Sequence, residues 1–228
     1  MQAHEAQNAQ EPANREGKLK EKKGSFSWWQ SLIIIAATLI ICIGAGYFIA
    51  TKYLMNHGND QLIKQLDYYK TQVTKKPNDA NLRVQLGYSY FLTGDDDNAI
   101  KELNTAKSLD KNSYGAYLNL AIVYDKENQT DNALQNALKA AKLSPNDYKP
   151  LLLEGRSYRK LKMYKQATTA LQKADQFKPD NDDITFEAGL VALDQGKKKD
   201  AEKIFKQVLS YDPTFQPALD ELDKLKNK

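Results

Sequence analysis

The pattern of apolar and polar positions divides the chain into one unbroken apolar run and one long periodic stretch. From Leu32 to Ala50, 19 consecutive residues carry no charge, and Ile and Leu dominate. At about 1.5 Å of rise per residue, a helix of this length matches the ~30 Å hydrocarbon core of a bilayer. Trp28 and Trp29 precede the run, and Tyr47 and Tyr53 lie near its far end. Amphipathic rings favour the headgroup level, so both ends read as membrane interfaces. A soluble core helix rarely runs so far without a polar face. A cleaved signal peptide is the rival reading, but its apolar region is usually about 7–15 residues. The run therefore predicts a transmembrane helix, with Cys42 as an apolar residue inside it.

The periodic stretch repeats every 34 residues. Pro77, Lys111, Pro145, Pro179 and Pro213 fall in one column, and Gly87, Ala121, Gly155 and Gly189 in another. Ala99, Ala133, Ala167 and Ala201 form a third; Tyr90, Tyr124 and Tyr158 lead to Ala192 in a fourth. Leu103, Ala137, Leu171 and Phe205 hold the same phase, as do Ala106, Ala140, Ala174 and Val208. Within one repeat, Leu86, Gly87 and Tyr90 share a side of a first helix, while Ala99, Leu103 and Ala106 share a side of a second. Turn residues separate the two, as in Thr93-Gly94-Asp95 and Gln195-Gly196-Lys197. Small side chains in the Gly87 and Ala99 columns let the paired helices approach closely. Self-similarity at this period is the mark of a stacked array.

Composition adds little to this picture. The 228 residues carry a formal net charge of +4, too mild and too dispersed for a nucleic-acid binder. Met1 to Gly24 is rich in Gln, Asn, Glu, Lys and Ala and is expected to be disordered, because it has too little apolar surface to offset its ordering entropy. Arg15, Lys18, Lys20, Lys22 and Lys23 crowd the N-terminal flank of the apolar run, whereas the far flank has Lys52 and then none until Lys64. That asymmetry predicts a cell-membrane protein with a cytoplasmic N-terminus and an extracytoplasmic C-terminal domain. Thr38, Cys42, Gly46 and Ala50 recur every four residues. On a helix they form a stripe where a second transmembrane helix could pack, giving a homo-oligomer.

The expected fold is all-α: a helical-repeat solenoid behind an N-terminal transmembrane helix. The expected divisions are a disordered cytoplasmic tail at 1–27, the transmembrane helix with its interfacial flanks at 28–53, and a juxtamembrane linker with a capping helix at 54–79. Repeats follow at 80–113, 114–147, 148–181 and 182–215, with a C-terminal capping helix at 216–228. Leu62, Leu66, Tyr69 and Val73 give the first cap its apolar face, and Leu219 and Leu222 serve the second. Asn56–Asn59 is expected to be a break.

These columns resemble the tetratricopeptide repeat family, whose signature is W-x2-L-G-x2-Y…A-x3-F…P at a period of 34. The likeness is carried by Leu86-Gly87…Tyr90…Ala99…Leu103 and by Gly155…Tyr158…Ala167…Leu171…Pro179. It lapses at the tryptophan column, which reads Arg83, Tyr117, Leu151 and Thr185, and at Lys111, which replaces a proline. The resemblance implies a superhelix whose first helices line a concave face that holds an extended peptide or a partner helix. Family groove positions then fall on Lys149, Leu152, Arg156, Arg159 and Lys160, beside Tyr88, Phe91, Asn119 and Phe186. Such a surface suits an acidic segment, or a C-terminal carboxylate beside an apolar anchor. The chaperone-binding clamp of some relatives is incomplete, since its first positions are Val84 and Tyr88.

No cofactor, metal site or catalytic group is expected. His4 and His57 stand apart, Asp95-Asp96-Asp97 lacks the spacing of a calcium loop, and no glycine-rich phosphate loop occurs. The implied role is a membrane-anchored scaffold that binds a protein or peptide in envelope assembly, secretion or chaperone-like holding. The alternatives are a cytosol-facing receptor for precursor proteins and a self-assembling structural protein.

Overall fold

A computed structural model describes residues 28–227, with the side chains of residues 50–59 excepted. The tail, its basic flank and His4 lie outside the described residues, as does the side chain of His57. Among the described residues there are ten α-helices and no strand. The chain divides into two units between Leu54 and Met55.

The first helix, α1 (Trp28–Lys75), holds the apolar run. Every side chain from Trp28 to Ile49 is exposed, and this stretch is long and apolar enough to cross a membrane. It is compatible with a membrane anchor or a signal sequence. Thr38, Cys42 and Gly46 are uncovered, and a Cβ added at Gly46 would meet nothing within 4 Å. Ala50 is helical, but its side chain is outside the described set. The expected break at Asn56–Asn59 is helical as well and belongs to α1.

In the second unit the 34-residue period becomes a strict alternation of helix lengths. The first helices α2 (Ala80–Leu92), α4 (Tyr114–Lys126), α6 (Tyr148–Lys160) and α8 (Asp182–Asp194) each have 13 residues. The second helices α3 (Asp96–Leu109), α5 (Thr130–Leu143), α7 (Tyr164–Phe177) and α9 (Lys198–Tyr211) each have 14. Short polar side chains start all four first helices. Asp79, Ser113, Asp147 and Asn181 accept from Leu82, Ala116, Lys149 and Ile184 backbone N–H groups, satisfying donors that the helix cannot. Each turn between paired helices needs one left-handed residue, at Gly94, Asn128, Lys162 and Gly196. Lys162, at φ 59°, holds a conformation that glycine adopts without strain.

Close helix pairing explains the small-residue column. A Cβ at Gly87 would sit 2.6 Å from Leu103 Cγ, one at Gly155 2.6 Å from Leu171 Cγ, and one at Gly189 2.5 Å from Phe205 Cε1. In the second repeat the column holds Ala121, and the residue opposite is Ala137 rather than leucine. Where the first helix gains a methyl group, the second gives up its bulk, so packing stays dense without overlap.

First helices also meet across repeats, α2 with α4, α4 with α6 and α6 with α8, and no comparable contact joins second helices. The stack therefore curves with the first helices on its inner face. Both ends of the array are covered. Leu66 and Val73 of α1 bury against Leu86, with Tyr69 alongside. Ala218 and Leu222 of α10 (Gln216–Lys226) bury against Ala201, Phe205 and Val208.

Candidate protein-binding surfaces

The inner face does not present the free positive charge that its residue types imply. Arg156 of α6 donates through Nη1 to Asp125 of α4 at 3.2 Å and through Nε to Glu187 of α8 at 3.3 Å. Arg159 donates to the other oxygen of Glu187 and, at 3.0 Å, to Asp194. Lys160 Nζ lies 2.7 Å from Asp125 Oδ1 and 3.1 Å from its backbone carbonyl. Five cation–carboxylate contacts thus form a ladder across repeats two, three and four. Glu187 is 2% exposed and Asp125 9%; such carboxylates are tolerated inside a protein only when paired. Burial pushes the Arg156 and Arg159 guanidinium pKa values down, but the carboxylates, Glu187 foremost, outweigh it and hold both above the ordinary arginine value. The acidic group expected from a ligand is supplied here by the chain itself.

The other sequence candidates separate into three groups. Tyr88 is exposed and stacks on Phe91 of the same helix with centroids 6.3 Å apart, and Lys126 Nζ stands 5.1 Å above the Phe91 ring. This aromatic pair, in repeat one, lies outside the ladder. Leu152 is buried in the core beside Leu151 and Leu171, and Phe186 packs on Phe205 and Phe215 with both centroids at 5.4 Å. Both are packing residues, a correction to their reading as groove contacts. Asn119 is half-buried and Lys149 is exposed; among the described residues Lys149 has no carboxylate partner.

On the outer face the repeats differ from one another. In repeat three, Glu154 and Tyr158 of α6 lie against Lys165, Thr169 and Lys173 of α7. The same positions in repeat four are Ala188 and Ala192, and their small side chains leave a cleft of about 420 Å³ between α7 and α9, with Ile184 and Val191 in its wall. Between α3 and α5, a third pocket of about 510 Å³ gathers Lys107, Lys111, Tyr117, Gln135, Asn136 and Lys139. Sequence reasoning passed over this cluster. Its signal was present in the two departures from the family pattern, since Lys111 stands in the proline column and Tyr117 in the tryptophan column.

Family models for the tetratricopeptide repeat match residues 80–113, 114–147 and 158–222. The chain belongs to the tetratricopeptide repeat family, a class of protein-interaction scaffolds. Among solved structures, a tetratricopeptide protein from Parabacteroides merdae superposes with a TM-score of 0.64 at 19% identity, covering 79% of this chain and 71% of that one. TTC0263 of Thermus thermophilus gives 0.61 at 16% identity, covering 77% and 95%. YrrB, described as having an unusual peptide-binding site, gives 0.57 at 19%, covering 69% and 81%. Human protein O-mannosyl-transferase TMTC1 is 23% identical over 91% of this chain, and the chain spans 23% of its length.

Proposed function

We propose that this chain is a membrane-anchored adaptor that holds a peptide segment or helix of another envelope protein outside the cytoplasm, on the concave face of its first repeat. The observation that carries this reading is the contrast along that face. In repeats two to four Arg156, Arg159 and Lys160 are held by neighbouring carboxylates, whereas in repeat one exposed Tyr88 stacks on half-buried Phe91, an aromatic platform edged by Lys126. Stacked aromatic rings offer large contact area at low entropic cost, as binding anchors do. The ligand then brings an apolar anchor to repeat one, and any polar groups it carries meet Asn119 and the rim at Lys149. Membrane attachment is supplied by the apolar part of α1. The Lys/Arg excess at residues 15–23 supports a cytoplasmic N-terminus.

A photoreactive amino acid placed at Tyr88 in intact cells is expected to yield a discrete crosslinked protein. The same group at Tyr211, exposed on the second helix of repeat four and away from both lysine clusters, is expected to yield none. Identical crosslinks at both positions would remove the concave-face reading. Protease added outside wall-stripped cells should digest the repeats; protected repeats would instead favour the cytosol-facing receptor.

A further inference from the structure

We propose that the outer-face pocket between α3 and α5 is a second docking site, built to receive an acidic segment of a partner protein. The proposal rests on the reading of the chain as a protein-binding scaffold, but it uses a different surface from the aromatic platform of repeat one.

Three observations carry it. The ammonium groups of Lys107 and Lys139 each stand 5.7 Å from the centroid of the Tyr117 ring, reaching it from two different helices. Lys111 joins them from the turn before α4, and its backbone carbonyl accepts from the Tyr117 hydroxyl at 3.3 Å. Cations are attracted to the ring face, so the aromatic surface organises like charges that otherwise repel. Second, no carboxylate lines the pocket, and among the described residues none of these three lysines has an acidic partner within 4.0 Å. Third, Asn136 is 5% exposed, with its amide nitrogen donating to the Asn132 carbonyl, and together with Gln135 it adds neutral hydrogen-bonding groups beside the charges.

Complementary charge is what the pocket lacks. Lysine ammonium groups act as point charges and set no demand for planar geometry. On an extended segment alternate Glu or Asp side chains share a face and meet the ammonium groups, while backbone amides of the segment meet Gln135.

The test uses the full chain in non-ionic detergent. The probe is a fluorescein-labelled peptide of six glutamates, with six glutamines as the neutral counterpart. Anisotropy is expected to show binding of the glutamate peptide only, weakening as salt rises. Lys107→Gln/Lys139→Gln is expected to weaken it about tenfold, a change of ~1.4 kcal/mol, and Lys111→Gln several-fold. Lys165→Gln/Lys173→Gln, on the neighbouring outer surface, should change it less than about twofold. Tyr88→Ala/Phe91→Ala should leave it unchanged, so that failure of this site and failure of the repeat-one reading are distinguishable. Melting curves report whether each variant is folded, and the Lys111→Gln result stands if the double variant is not. Equal losses from both lysine pairs would overturn the proposal. So would displacement of the peptide by micromolar inorganic phosphate, or lysine-dependent binding to phosphatidylglycerol vesicles without peptide binding.

Discussion

Two groups of cations on this solenoid look alike in composition and differ in circumstance. Arg156, Arg159 and Lys160 on the inner face are held by Asp125, Glu187 and Asp194. Lys107, Lys111 and Lys139 on the outer face gather around a tyrosine and, among the described residues, have no carboxylate within 4.0 Å. The first group joins three repeats to one another; the second leaves positive charge for something outside the chain. A cluster of basic residues is therefore a candidate binding surface only after its own acidic neighbours have been counted.

The largest break in this contrast is expected from Glu187→Ala. It strands two guanidinium groups against the buried wall of α8, and loss of one partner of such a pair costs about 3–5 kcal/mol. Because both arginines keep a second carboxylate, at Asp125 and Asp194, the low end is expected, seen as a fall in the thermal midpoint. Charge reversal at Arg156 and Arg159 should likewise unfold the array before it reports on any ligand.

Glu154 is the intermediate case, a carboxyl group in α6 with lysine nearby but no direct bond. Burial, partly offset by Lys173, pushes its pKa up from 4.5 to about 7. Between those values the folded state keeps a proton that the unfolded chain has released, so stability falls as pH rises from 4.5 to 7. Glu154→Gln should flatten that fall. It should raise stability at pH 8 by about 1–2 kcal/mol, allowing for solvent screening, and change little at pH 4.5. Thermal melts across the range check this; a parallel offset at all pH values would mean that packing, not charge, governs the site.

The smallest effect belongs to the outer lysines. Lys107→Gln/Lys139→Gln, at two half-buried positions, relieves like-charge repulsion but gives up two contacts with the Tyr117 ring, and the net change in stability should stay within about 0.5 kcal/mol. A loss above 1 kcal/mol would show that these lysines are structural after all.

The fold was readable in advance because packing writes itself into residue size at fixed spacing. The Gly87 and Leu103 columns state which residues touch, since only a glycine can lie against that leucine at the distance the helices adopt. Charge pairing is written less locally. The partners of Arg156 are 31 residues away in either direction, and those of Arg159 are 28 and 35 residues on. Those separations are close to one period, so a search for carboxylates one repeat away on the first helices finds the ladder, whereas a list of cations along one helix does not. Phe186 misled for a related reason. Its ring turns to Phe205 and Phe215, and the pull of a terminal cap on the last repeat is invisible in the columns of the others.

The matched sizes of Gly87 with Leu103, Ala121 with Ala137, Gly155 with Leu171 and Gly189 with Phe205 bear on how such an array can change. Each pair is fitted within its own repeat, so the helical hairpin is a cassette that can be copied, removed or reordered with its fit intact. A single helix is not. Moving α4 onto α7 would press Ala121 into Leu171, and moving α6 onto α5 would leave Gly155 facing Ala137 across an empty space. The grain of recombination in this protein is therefore the pair of helices, and chimaeras with neighbouring arrays should be cut in the turns between repeats.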